Sequence, residues 1–162
     1  MLPAGHALAD KTVYGLIERV ALPDLGVELD AKLDTGAETA SLGARDIERF
    51  ERDGERWVRF VPDFRGHPEQ VLELPLARVS KIKRRPGDFH RELDKSYTAR
   101  PVVELHLCMG NRLREIEVNL TDRSAFKYPL LIGSDALAEF GALVDPSLTQ
   151  ATAEPNCTDA DE

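Results

Sequence analysis

Asp34 stands in Leu33-Asp34-Thr35-Gly36-Ala37, a carboxylate on a short polar turn directly after a run of alternating apolar and polar residues. A carboxylate fixed at the end of a strand can take or give a proton in a hydrolytic step. The same residue in a turn can also do no more than accept neighbouring backbone N–H groups. Far along the chain, Leu130-Leu131-Ile132-Gly133 forms an apolar run ending in glycine, just ahead of a short helical pattern. Other chemistry-bearing residues are scattered. His106 and Cys108 fall on one face of a strand pattern and offer two soft donors, whereas a closed zinc site takes four, so no metal is assigned to them. His67 and His90 lie in polar stretches that read as solvated loop. Lys81, Lys83, Arg84 and Arg85 form a basic cluster that fits either a wet loop or a contact for an acidic peptide such as polyglutamate. The chain has no Gly-rich phosphate loop ending in Lys-Ser/Thr and no His-Glu-x-x-His helix, so its motifs supply neither ATP nor zinc, and no cofactor is expected.

The elements that must position Asp34 are mostly strands. Residues 27–33 put Val27, Leu29, Ala31 and Leu33 on one face and Glu28, Asp30 and Lys32 on the other, the period of two of a half-buried strand. Residues 13–20 predict a preceding strand, and residues 39–42 a return into the sheet. Asp53-Gly54 accepts the positive φ angles of a tight turn, predicting a hairpin over 50–60 with Trp57, Val58 and Phe60 as core. A second hairpin is expected from 101–108 through Met109-Gly110-Asn111 into 113–120. Between them, residues 81–100 are polar and charged and read as a long surface excursion. Arg65-Gly66 and Pro86-Gly87 are both candidates for the tip of a substrate-covering flap. The one clear helix starts after Gly133, with Ser134 as its cap, Leu137 and Phe140 on one face, and Gly141 at its end.

With 162 residues and 42% hydrophobic content, the chain supports a single core without disulfides. One domain is expected over 1–148, followed by an acidic disordered tail over 149–162. The net charge of −8 argues against nucleic acid or an anionic membrane as the main partner. Cys108 and Cys157 make no spaced framework, and Cys157 lies in the polar tail where pairing would order little, so a reducing, cytoplasmic setting is expected. No stretch approaches the ~20 apolar residues of a membrane helix, and no leader pattern opens the chain.

An Asp-Thr-Gly turn after a strand, followed distantly by two apolar residues and a glycine before a helix, resembles the retropepsin-like aspartic peptidases. The resemblance implies a mainly β fold, a retropepsin-like closed β-barrel equivalent to one acid-protease half-lobe, with one short C-terminal helix. It implies Asp34 as the catalytic residue, Thr35, Gly36 and Ala37 as the active-site loop, and Leu131, Ile132 and Gly133 as the residues packed beneath it. In such enzymes two carboxylates about 3 Å apart cannot both ionise, so they share a proton while water acts as nucleophile. One Asp-Thr-Gly per chain then requires a homodimer, with an Asp34 from each copy. Gly36 would allow close approach of the backbone to substrate, the Thr35 hydroxyl would reach toward the other loop, and Ala37, lacking a hydroxyl, would leave the pair less acidic.

Residues 31–42, 50–60, 100–103, 131–133 and Ala136-Leu137 are similar to the bacterial family named "ATP-dependent zinc protease", the retropepsin-like proteins associated with RimK/LysX ligases. That resemblance covers most of 13–145 and implies a peptide or protein substrate and an accompanying ATP-grasp ligase system that adds glutamate or similar residues. A non-catalytic peptide-binding or regulatory module of the same fold, serving such a ligase, is the alternative. The sequence departs from the family at Glu38, Gly43 and Ser134, where Arg, His and Arg are usual.

Overall fold

The computed structural model describes residues 10–66, 69–83 and 97–158. His67, His90, Arg84, Arg85 and Pro86-Gly87 lie outside them. Among the described residues, ten strands and one helix follow in order: β1 (Thr12–Leu22), β2 (Val27–Leu33), β3 (Ala40–Arg52), β4 (Glu55–Pro62), β5 (Leu72–Pro75), β6 (Arg78–Lys83), β7 (Tyr97–Met109), β8 (Arg112–Thr121), β9 (Leu130–Ile132), α1 (Ser134–Glu139) and β10 (Ala142–Thr149).

Neighbouring strands run β10-β1-β2-β9-β3-β8-β7-β6, and a further β1–β7 pairing at Ala21 and Cys108 closes the middle six into a barrel. The mainly β, closed-barrel fold with one short helix is therefore the fold of this protein. Closure leaves no free edge among those six strands, while β10 and β6 flank the barrel as edges. β4 and β5 extend from β3 as a separate flap of sheet.

The period-two reading of β2 holds: Leu29, Ala31 and Leu33 are buried while Glu28, Asp30 and Lys32 are exposed. The turn between β3 and β4 places Asp53 at φ 52° and Gly54 at φ 81°, the paired positive angles that match the right-handed twist of a two-residue hairpin. Val58 and Phe60 are fully buried as expected, but Trp57 is only half-buried, with the Arg52 guanidinium 4.4 Å over its ring. The β7–β8 hairpin also forms as read, turning at Gly110-Asn111.

Two expectations are corrected. The ends of the expected surface excursion are strand: β6 pairs with the start of β7 from Arg78↔Val102 to Lys83↔Tyr97. Lysines and arginines suit such an edge, because their stems cover the sheet while the charges stay wet. Residues 149–158, read as the start of a disordered tail, are laid onto the barrel. Their backbone binds the buried Glu18, and Cys157 forms a disulfide with Cys108. Pairing of the cysteines thus fixes a segment that was expected to gain little from it.

Candidate active site

Asp34 follows β2 at the point where β2 lies parallel to β9, with Leu33 opposite Ile132. Its own N–H continues the ladder by donating to the Ile132 carbonyl at 2.9 Å. The turn then closes on itself: the Ala37 N–H donates to the Asp34 carbonyl, and the Gly36 N–H donates to Asp34 Oδ1 at 2.9 Å. One carboxylate oxygen is thereby oriented, and the half-buried side chain faces a cleft while Thr35, Gly36 and Glu38 stay exposed.

The distant apolar-glycine run holds this turn from below. β9 is only three residues long and is wedged between β2 and β3, with Leu130 and Ile132 fully buried. Leu131, expected beneath the turn, points the other way and lines the cleft. At Gly133 a Cβ would lie 2.8 Å from the carbonyl oxygens of both Ala37 and Glu38, so only glycine permits the turn to rest there. The next two N–H groups, of Ser134 and Asp135, donate to those carbonyls at 2.6 and 3.0 Å.

This changes the reading of the helix start. Ser134 was expected to cap α1, but Gly133 is the N-cap residue and no side chain caps it. The free donors of the first turn are satisfied by the Asp34 turn itself, so the helix and the turn complete each other's hydrogen bonding. α1 is anchored on the far side by Ala136, Leu137 and Phe140, all buried, with Phe140 edge-on to Tyr14 at 6.5 Å, and Gly141 at φ 60° ends it.

The cleft encloses about 640 Å³. Among the described residues, Lys32, Lys81, Arg100, Arg123 and Lys127 line it against the carboxylates of Asp34 and Glu38, so the charge they set is opposite to that of the whole chain. Arg100 is half-buried, its Nε has no hydrogen-bond partner among the described residues, and its Nη1 donates to Asn119 Oδ1 at 3.4 Å. Burial holds the Arg100 guanidinium below the ordinary arginine value. Burial does the same to Arg123, helped by repulsion from Arg100 and opposed by attraction to Asp34. Both remain cations, since a guanidinium does not deprotonate in proteins. Ser41 also turns a buried hydroxyl with no partner toward this region. Arg123, Phe126, Lys127 and Tyr128 separate the cleft from a larger cavity of about 970 Å³, which Arg65 and Gly66 reach.

Of the basic cluster read in the sequence, Lys81 is at the cleft, while Arg84 and Arg85 are outside the described residues. Arg100, Arg123 and Lys127 were not singled out, because nothing local marks them; they meet through the β7 and β8–β9 connections. His106 and Cys108 do not form a metal site. His106 takes Asp24 through both its N–H and Nδ1, and the Cys108 sulfur is bonded to Cys157. Those donors do not fit the zinc of the similar family's name, and among the described residues no group of three or more metal-ligating side chains occurs.

Comparison with known proteins agrees with this geometry. Residues 13–155 match the RimB-like family, described as retropepsin-like aspartic endopeptidase RimB. A probable alpha-L-glutamate ligase of Shewanella halifaxensis is 32% identical over 94% of this chain and 32% of its own length. Another, of Shewanella pealeana, is 35% identical over 85% of this chain and 29% of its own length. The chain thus spans about a third of the length of the curated relatives it matches. A crystal structure of a Legionella pneumophila protein of unknown function superposes with a TM-score of 0.71 at 37% identity, covering 88% of this chain and 98% of that one. From its barrel, its supported Asp-Thr-Gly turn and the match along nearly all of its length, this chain belongs to the RimB-like family of retropepsin-like aspartic peptidase domains.

Proposed function

We propose that this protein is an aspartic endopeptidase that hydrolyses peptide bonds in acidic chains, with a water activated by two Asp34 carboxylates contributed by two copies. The observation that carries the reading is the Asp34 turn, braced by β9 and α1 beside a cleft whose cations outnumber its carboxylates. Thr35, Gly36 and Glu38 are exposed beside it, leaving the turn accessible to a second copy. Thr35, Gly36 and Ala37 form the active-site loop in this reading, Ile132 and Gly133 support it, and Leu131 lines the cleft beside it.

In the dimer the ionised carboxylate takes a proton from water as the oxygen attacks the substrate carbonyl, and the protonated partner donates to the carbonyl oxygen. Collapse of the tetrahedral species returns a proton to the leaving amine and restores the shared-proton pair. Gly36, with no side chain and its N–H already turned onto Asp34 Oδ1, fixes the carboxylate without crowding the substrate. No step passes through a metal.

The cleft favours acidic substrate. A half-buried guanidinium whose Nε is without a partner gains a charge-assisted hydrogen bond when a side-chain carboxylate enters, and part of its desolvation has already been met in the fold. Glutamate-rich chains fit, and relatives named as glutamate ligases support a setting alongside an ATP-grasp ligase in the cytoplasm, where such a ligase has its ATP. The test is cleavage of glutamate-rich and lysine-rich peptides with a chelator present, by wild type and Asp34→Asn. Cleavage of the acidic peptides alone, lost in the variant, is expected. A folded protein that binds acidic peptide without cutting it would make this a binding module instead.

A further inference from the structure

Residues 150–158 form a strap fastened at two separate points, of which the one at Cys157 lies far from Asp34. Cys108 pairs with Ala21, which pairs with Glu28, and Glu28 lies six residues, or about 20 Å of extended strand, before Asp34.

The first fastening is Glu18. It sits on the inward parity of β1 with Val20 and Leu22 and is fully buried. Its carboxylate accepts the N–H groups of Gly15 and Ala151 at 2.7 Å each and the Thr152 hydroxyl at 2.6 Å. The second fastening is the Cys108–Cys157 disulfide, joined by one hydrogen bond from the Asn156 N–H to the Gly110 carbonyl at 2.8 Å. Between Ala153 and Thr158 no residue is fully buried and only Pro155 and Cys157 are half-buried, so little apolar packing holds that stretch.

We propose that Cys108–Cys157 is a thiol–disulfide exchange site for a dithiol reductant, and that its reduction frees residues 153–158 while Glu18 keeps residues 150–152 and the barrel in place. The Cys108 sulfur belongs to a residue 2% exposed, whereas Cys157 is half-exposed on the strap, so an incoming thiolate reaches Cys157. Attack forms a mixed disulfide on Cys157, and Cys108 leaves as a thiolate and takes a proton. The second thiolate of the reductant then attacks the mixed disulfide and releases Cys157, which is protonated in turn. The protein gains two electrons and two protons, and the dithiol becomes a cyclic disulfide. A single exposed backbone hydrogen bond does not hold a six-residue end against its chain entropy, so the end detaches. The Glu18 tie contains no sulfur and is untouched.

The test uses the full chain prepared without reductant, before and after dithiothreitol, with amide hydrogen exchange read along the strap and thiols counted by alkylation. No alkylation before reduction and two alkylated cysteines after it are expected, with exchange at 156–158 at least tenfold faster and exchange at Ala151 and Gly15 changed less than twofold. Cys157→Ser, which leaves the buried Cys108 in place, reproduces the reduced pattern without reductant. Glu18→Gln gives the reverse pattern, with Ala151 accelerated while the disulfide is intact. Free thiols in the untreated chain, unchanged exchange at 156–158, or equal acceleration at Ala151 and the barrel amides would each overturn the proposal.

Discussion

Gly133→Ala is the substitution that separates a supported Asp34 turn from one that merely lies near α1. The added methyl would sit 2.8 Å from the Ala37 and Glu38 carbonyl oxygens and 2.9 Å from the Glu38 carbonyl carbon, where ordinary contact begins at 3.4 Å. Turn and helix start must therefore part by about 0.6 Å along that direction, and all three obstacles are backbone, which cannot rotate away. That displacement stretches the Ser134 N–H bond to Ala37 from 2.6 to about 3.2 Å and the Asp135 N–H bond to Glu38 from 3.0 to about 3.6 Å, beyond hydrogen-bond range. Overpacking of this kind costs about 1–3 kcal/mol, and a lost bond at a helix start about 1 kcal/mol more. A total near 3 kcal/mol lowers Tm by about 6–12 °C in a domain of this size. Gly26→Ala is the control: it meets nothing within 4 Å and carries only the strain of its φ of 68°, about 1 kcal/mol. Thermal unfolding of both variants, with exchange at the Ser134 and Asp135 amides, decides the matter. Gly133→Ala with the stability of Gly26→Ala and unchanged exchange would refute the coupling of α1 to the turn.

Arg100→Ala should raise KM for a glutamate-rich peptide about tenfold or more, the worth of one charge-assisted hydrogen bond, with kcat little changed; a steady-state comparison at two salt concentrations checks it. Glu73 is held below its ordinary value of 4.5, first by the hydrogen bond from Arg52 and then by that from Arg59. Its folded-state value is depressed, so its stabilising contribution is complete above 4.5 and is lost as pH falls through the lowered value. Tm measured from pH 6 to pH 3 should therefore fall less steeply in Glu73→Gln than in wild type.

Much of this fold is legible in short windows, because its causes are local. The alternation of 27–33 fixes which face of β2 is buried, and Asp53-Gly54 specifies a hairpin whose positive φ angles few other pairs tolerate. The pairing of Asp34 with Leu131-Ile132-Gly133 is legible only through resemblance, since a parallel contact between residues a hundred positions apart has no local signature. What escaped has the same cause. Glu18 reads as a polar interruption of β1, and apart from the Gly15 N–H its donors come from 132 to 134 residues away. Ser134 has the composition of a helix cap, yet the turn carbonyls 97 residues earlier take its N–H instead. Polar composition made 149–158 look disordered, but a buried carboxylate and a disulfide hold polar backbone as firmly as apolar packing would.

The central claim is that the catalytic pair is built from two copies, and subunit mixing tests it most directly. Wild-type protein at fixed amount is allowed to exchange with an equal amount of folded Asp34→Asn, and hydrolysis of a glutamate-rich peptide is followed. Random pairing leaves a quarter of twice as many dimers with two aspartates, so activity should fall to about half of that of wild type alone, and further as more variant is added. Activity that stays constant whatever the amount of Asp34→Asn would mean that each chain acts by itself, and the shared-carboxylate account would be wrong.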